Sequence, residues 1–73
     1  MANVTKALEV SVVYRVDGEI KIFSGTVAAR LVIDRYLKLE MGDAIGLFVP
    51  VGYGQQVNAL NIEWFEIKRI NEP

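Results

Sequence analysis

The sequence predicts an α+β domain: a small antiparallel four-stranded sheet with one helix packed across it, in the order ββαββ. Three observations support this prediction. Residues 8–16 alternate between apolar and polar, the apolar residues of 27–41 follow helical spacing, and two later runs, 43–51 and 60–67, are apolar in the manner of strands. A single helix between two pairs of strands can bury its apolar stripe against one face of the sheet.

The composition indicates one small domain. The chain has 73 residues, 52% of them hydrophobic, and no cysteine. We expect a single domain over 1–73, with 1–6 and 71–73 frayed. A core of this size contributes only about 3–5 kcal/mol, and disulfides are not available, so we expect self-association to add stability. A net charge of −1 gives no strong field for nucleic acid or an anionic membrane.

The first two strands form a hairpin. Every even position of 8–16 is apolar, Asp17-Gly18 marks a reversal, and 19–23 supplies the second strand. A two-residue loop would place Glu19 and Lys21 on the apolar face of the first strand. We therefore predict a bulged hairpin with a three-residue loop, 16–18, which turns Ile20 and Ile22 toward the core.

A helix is predicted over 27–41, with N-cap candidates in 24–26 and Gly42 just past its end. Its apolar stripe covers about half of the circumference, wider than one neighbouring sheet requires. The opposite face carries charged side chains spaced four residues apart, Arg30, Asp34 and Lys38. This row is predicted to form a solvated ladder of ion pairs.

The second half of the chain supplies two more strands. The run 43–51 is apolar on both faces, and Pro50 places it at an edge or ends it, because proline cannot donate to a ladder. A glycine-containing loop follows at 52–56. In the last strand, 60–67, the apolar phase slips by one residue, which predicts a bulge near Trp64-Phe65.

The residue types argue against catalysis. The chain has no histidine and no cysteine, which removes the usual general base, soft metal ligands and thiol nucleophile. Its carboxylates are scattered and form no close ligand motif. Residues 52–57 imitate the start of G-x-G-x-x-G but lack the third glycine and lead into a strand, so no nucleotide site is expected. We predict no enzyme activity, no metal and no cofactor.

An excess of apolar surface points to protein binding. Residues 44–62 carry no charge, but their glycines, proline and amides make a membrane span unlikely. With the wide helical stripe they offer more apolar surface than this fold covers. We predict a protein-interaction domain, for example an inhibitor or adaptor that blocks a partner's surface, and self-association as a homodimer. The predicted partner-binding residues are Phe48, Tyr53, Gln55, Gln56, Arg30, Arg35 and Lys38.

Each part of this surface has a structural alternative. Tyr53, between two glycines and followed by glutamines, suits a recognition loop but can also fold back over the hydrophobic edge. The charged helix face can simply keep the protein in solution. The N-terminal segment has no export signal and cysteine is absent, so we expect a cytoplasmic protein. Small stand-alone domains of this size are common on phages and mobile elements.

Nucleic-acid binding is the alternative function. Residues 16–22 and 37–47 resemble the swapped-hairpin DNA-binding regulators of the AbrB and MazE kind, which show G-x-I-x-I-P and L-x-x-G-D around a short helix. The resemblance covers less than half the chain, with Phe23 where that family has proline and Glu19 where it often has an arginine that contacts DNA. Separately, 64–69 sets two aromatic residues beside two cations, a pattern that suits base stacking unless the aromatics are core residues.

Overall fold

Two antiparallel sheets and one helix make up the structure, a computed structural model that describes residues 4–52 and 54–72. The elements are β1 (Val4–Val16), β2 (Glu19–Val27), α1 (Arg30–Glu40), β3 (Phe48–Pro50), β4 (Gln56–Asn58), a 3₁₀ turn (Ala59–Asn61) and β5 (Ile62–Glu72). One sheet has the order β2-β1-β5 and the other pairs β3 with β4. The α+β class with one helix is confirmed. The single four-stranded sheet is wrong, because the order is ββαβββ over two sheets.

The hairpin of β1 and β2 has a two-residue loop, not the predicted three-residue loop. Val16 lies opposite Glu19, and Asp17 and Gly18 have φ angles of 51° and 80°. Two left-handed residues in succession are the signature of a type I′ turn, for which Asp-Gly is a favoured sequence. The predicted placement of Ile20 and Ile22 in the core is therefore wrong. Both face away from it, and Ile22 is 71% exposed.

The length of the sheet explains this difference. The molecule measures 46 Å along its longest axis, whereas the 11 residues of α1 span only about 16 Å. A helix of this length cannot cover the whole sheet, and the residues of the hairpin tip, 15–22, are all exposed. Glu19 and Lys21 lie on the same face as Tyr14 but are exposed to solvent. Their charged groups therefore stay hydrated, and the two-residue loop has no desolvation cost.

The helix begins later than predicted because β2 continues farther. Residues 24–27 stay paired with β1, so the predicted caps in 24–26 are wrong, and Ala29 precedes the helix without a side-chain cap. The predicted end at Gly42 is confirmed. Gly42 has a φ of 83°, its N–H donates to the Leu39 carbonyl at 3.1 Å, and the Asp43 N–H donates to the Lys38 carbonyl at 3.0 Å. These bonds are those of a Schellman motif.

The predicted charge ladder on α1 does not form. Its members, Arg30, Asp34 and Lys38, are all exposed. Among the residues that the structure describes, the ion pairs are Arg15 with Glu63 and Arg69 with Glu40, so none joins members of this row. Exposed pairs at this spacing contribute only about 0.3–0.5 kcal/mol, which does not hold long side chains together against their rotamer entropy.

The predicted strand over 43–51 shrinks to the three residues of β3. Gly46 adopts a left-handed φ of 70°, so the chain turns before it pairs. Pro50 stands in the last pair, opposite Gln56, as expected of a residue that cannot donate. The predicted apolar face partly survives this change, and its buried members are Leu47, Val49 and Val51. Ile45, assigned to the same face, is 92% exposed.

The predicted bulge in the last strand is confirmed, one residue earlier than expected. Ile62 lies opposite Tyr14 and Trp64 opposite Val13, so Glu63 is the inserted residue. Phe65 then returns to the core side. The interpretation of Trp64 as a core residue is wrong, because the bulge places it on the other face, where it is 52% exposed.

The first residues of β1 pair with the last residues of β5. The stretches predicted to fray, 1–6 and 71–73, include residues that the structure places in strands. Val4 lies opposite Glu72 and Thr5 opposite Asn71, and the Thr5 hydroxyl donates to Asn71 Oδ1 at 3.1 Å. Residues 1–3 and 73 lie outside the described ranges.

The core lies on one side of β1. Its buried side chains come from β1, α1 and the region of β3 and β4, and are Leu8, Val10, Val12, Tyr14, Ile33, Tyr36, Leu39, Leu47, Val49, Val51, Val57 and Ala59. Tyr36 is fully buried, and its hydroxyl donates to the Pro50 carbonyl at 2.6 Å, which fastens α1 to the smaller sheet. Burial, assisted by the neighbouring Tyr14, raises the pKa of Tyr36 to about 12.

Alkaline pH should therefore unfold the protein in part through Tyr36. An unfolded tyrosine ionises near pH 10. Because the folded pKa is higher, this stabilising contribution is complete below about pH 10 and is lost as pH rises toward about 12, about 3 kcal/mol in all. Urea unfolding of the wild type and Tyr36→Phe across this range measures it. The variant should lose about 1 kcal/mol at neutral pH with its hydrogen bond, and show a shallower alkaline decline. Equal declines would contradict this assignment.

Candidate functional site

The face of the larger sheet opposite the core is uncovered and carries a cluster of apolar side chains. On the central strand, Val13 lies opposite Ile22 of β2 and opposite Trp64 of β5, and Arg15 lies opposite Ile20. Facing residues of antiparallel strands project on the same side. We call Val13, Ile20, Ile22 and Trp64 the open-face cluster. Ile20, Ile22 and Trp64 are all more than half exposed.

Polar groups border the open-face cluster. The Arg15 Nε lies 3.4 Å from Glu63 Oε2, and the Arg15 Nη1 donates to the Gly18 carbonyl at 3.3 Å, which holds this side chain at the hairpin end. At the other side the hydroxyls of Ser11 and Ser24 are 3.1 Å apart. The border therefore has paired charges and hydroxyls and carries no strong field of either sign.

Some of the predicted partner-binding residues meet on the flank of α1. Arg35 Nη1 donates to the Phe48 carbonyl at 3.0 Å, and Phe48 is partly exposed beside it. Arg35 and Lys38 line a shallow groove of about 280 Å³ together with Leu31 and Ile45, both strongly exposed. Arg30 is exposed on the first turn of the same helix but is not part of this groove.

The remaining predicted residues lie elsewhere. Gln55 and Gln56 are exposed and line a groove of about 250 Å³ with Val16 and Lys21, next to the hairpin tip. Tyr53 lies outside the described residues. The predicted set is therefore divided between at least two places.

The sequence reasoning missed the open-face cluster. Asp17-Gly18 is the strongest short signal for a two-residue hairpin loop, and such a loop turns Ile20 and Ile22 away from the face of Tyr14. If the turn signal had been given more weight than the polarity of Glu19 and Lys21, two of the four residues of the open-face cluster would have been predicted. Trp64 would have followed from placing the bulge one residue earlier.

In residues 4–52 and 54–72, no group of three or more Asp and Glu side chains is placed to hold a metal ion. The tyrosine with the raised pKa, Tyr36, lies in the core with its hydroxyl bonded to the Pro50 carbonyl. No helix of the described part of the chain is long and apolar enough to cross a bilayer.

What these surfaces can do is bury apolar area against another molecule, with paired charges at the border to set orientation. Relatives offer no guide to that molecule, since no family model, no curated protein and no solved structure matches this chain.

Proposed function

We propose that the chain is a non-catalytic protein-interaction domain that contacts its partner through the open-face cluster. The observation that supports this is the exposure of Ile20, Ile22 and Trp64, at 57%, 71% and 52%, on one face of one sheet. A contiguous apolar patch with a polar border is typical of a protein-binding site. A flat sheet face of this kind suits an inhibitor or adaptor that covers a partner's surface.

Trp64 is the expected anchor of this contact. Tryptophan and arginine are enriched among the residues that dominate binding energy, and they act best near the centre of a patch. Trp64 lies beside Val13 in the middle of the open face, and Arg15 lies one pair away toward the hairpin. Because Arg15 is already paired with Glu63, the border favours a partner without strong charge.

A photo-cross-linking experiment locates the contact. A benzophenone amino acid replaces Ser11, which lies on the open face between Ser24 and Glu66, or Asp34, which is exposed on α1 as a control. Both variants are irradiated in the source cells and the products are identified by mass spectrometry. We expect a specific product from the Ser11 position and none of the same mass from the Asp34 position.

Affinity measurements with the purified product then test the residues. Trp64→Ala should weaken binding by about 30-fold or more, the effect of losing a hot-spot side chain. Ile45→Asp, which places a charge at a strongly exposed residue on the flank of α1, should leave affinity within about twofold. If Ile45→Asp abolishes binding and Trp64→Ala does not, the proposal is wrong and the contact lies on the helix flank.

Single-stranded nucleic acid is the second candidate for the same face. The observation that favours it is the exposed Trp64, which shares this face with Lys68. Glu9 and Glu66 lie on the face as well and offset the cation. Trp64 fluorescence can be titrated with oligonucleotides at about 50 mM salt, where phosphate contacts are strong. An unchanged signal would contradict this candidate.

A further inference from the structure

Strand β2 is an edge whose main chain has unused hydrogen-bonding groups. The two-residue loop makes Val16 and Glu19 a hydrogen-bonded pair, and bonded and non-bonded pairs then alternate along the ladder. The residues whose N–H and C=O groups point away from β1 are therefore Ile20, Ile22, Ser24 and Thr26. All four are exposed, and in the described residues no other strand pairs with this edge.

The other edge of the sheet is protected and β2 is not. Strand β5 contains the bulge at Glu63 and carries charged side chains along its length, features that prevent strand addition. The pairing of β2 with β1 is regular over its nine residues. From Ile22 to Val27, β2 has no charged residue and no proline. It is thus the edge that can accept another strand.

We propose that a second copy of this chain pairs with β2, antiparallel and about a two-fold axis at Phe23. With Phe23 opposite Phe23 of the second copy, all nine residues of each β2 overlap. Glu19 then faces Val27 and Lys21 faces Gly25, so no like charges are opposed. A register centred on Lys21 would place two ammonium groups together and shorten the overlap. The preferred register bonds Ile20 to Thr26 and Ile22 to Ser24 across the axis.

A groove beside the strand provides room for the second copy. It has a volume of about 570 Å³ and follows β2 from Phe23 to Val27, with Ala28, Val32 and Pro50 on its other wall. In the proposed register, Lys21 and Phe23 of the second copy project over this groove. Gly25 has no side chain to fill this groove. A Cβ added at Gly25 would lie only 3.3 Å from the Phe23 ring.

The pairing closes on itself. A two-fold contact uses the same β2 on both copies and leaves only the two protected β5 edges outside, so it gives a dimer and not a fibre. The larger sheets join into one of six strands, with the two open-face clusters on the same side. This inference goes beyond the proposed function, because it concerns the strand edge and does not require the open face to bind anything.

Light scattering after size exclusion tests the dimer. At tens of micromolar, the wild type should have twice the 8.2 kDa mass of one chain. Thr26→Pro removes one outward N–H without disturbing the bonds to β1, and should give a single-chain mass with an unchanged circular dichroism spectrum. Arg69→Pro makes the corresponding change on β5, where the N–H also points outward; it also removes the exposed ion pair with Glu40, and it should remain dimeric. A wild-type monomer, or a dimer lost only in Arg69→Pro, would overturn the proposal.

Cysteine cross-linking tests the register, since the chain has no cysteine of its own. Only a residue on the two-fold axis meets its own copy, so Phe23→Cys should form a disulfide dimer in a glutathione buffer. Ile20→Cys is the control, because its two copies would be separated by about 20 Å, far more than a disulfide spans. Cross-linking at Ile20 but not at Phe23 would contradict the register.

The two proposals fail separately. Trp64→Ala should stay dimeric, because Trp64 lies on β5 and takes no part in the β2 contact. If the wild type is a monomer, but Trp64→Ala still weakens binding to the cross-linked partner, only the dimer proposal is wrong. If the wild type is a dimer and Trp64→Ala does not change its affinity for the partner, only the open-face proposal is wrong.

Discussion

Tyr36→Ala should leave much of the protein unfolded at 25 °C. Replacing a large buried aromatic side chain with alanine costs about 3–5 kcal/mol. Tyr36 has no exposed surface and is the largest fully buried side chain, and its loss also leaves the Pro50 carbonyl without its 2.6 Å hydrogen bond. A domain of this size has a free energy of unfolding of only about 5 kcal/mol. Circular dichroism in the absence of urea measures the folded fraction.

Met41→Ala is the control for Tyr36→Ala. Met41 follows the same helix and is 79% exposed, so its replacement should change the free energy of unfolding by less than about 0.5 kcal/mol. If the two variants proved equally stable, Tyr36 would not fasten α1 to the smaller sheet, and the packing described above would be incorrect.

Leu8→Ala and Ile22→Ala should differ in stability by more than about 2 kcal/mol, although both remove apolar side chains from neighbouring strands. Leu8 is fully buried and its replacement should cost about 3 kcal/mol, whereas Ile22 is mostly exposed and its replacement should cost about 0.5 kcal/mol. Urea unfolding of both variants at low micromolar concentration gives the comparison.

This comparison also tests the hairpin register directly. A three-residue loop would turn Ile22 toward the face of Leu8, and the two replacements would then have similar costs. A large loss of stability in Ile22→Ala, with no change in oligomeric mass, would therefore favour the longer loop and remove Ile22 from the open-face cluster.

Local patterns predicted much of the fold. The alternation in β1 predicted a strand with one buried face, helical spacing predicted α1, and Gly42 predicted the end of that helix. Each of these patterns depends only on residues a few positions apart. The bulge in β5 was visible for the same reason, as a slip in the apolar phase. These features depend on the short-range geometry of strands and helices, and the order of apolar and polar residues in the sequence reflects that geometry.

Features that depend on distant parts of the chain were not predicted. At Asp17-Gly18 the polarity of Glu19 and Lys21 argued against the two-residue loop that the local signal favours, and the sequence does not show that both side chains stay exposed to water. The run 43–51 looks continuous, and only the turn at Gly46 divides it. The length of the Asp17-Gly18 loop decides which face of the sheet carries Ile20 and Ile22. The wrong loop length therefore also removed both residues from the predicted binding surface. Arg35 and Phe48 were predicted to bind a partner, and the structure places them beside each other on the flank of α1, not in the open-face cluster.

The bulge at Glu63 also has a consequence for how this surface can change over evolution. Because side chains alternate along a strand, the extra residue Glu63 has to be absorbed in a bulge for Trp64 to point outward and Phe65 inward. Loss of this one codon would leave Ile62 opposite Tyr14 and Trp64 opposite Val13, so the bulge would disappear while both aromatic residues kept their faces. A deletion at this one position can thus be inherited without exchanging the exterior and interior side chains of β5.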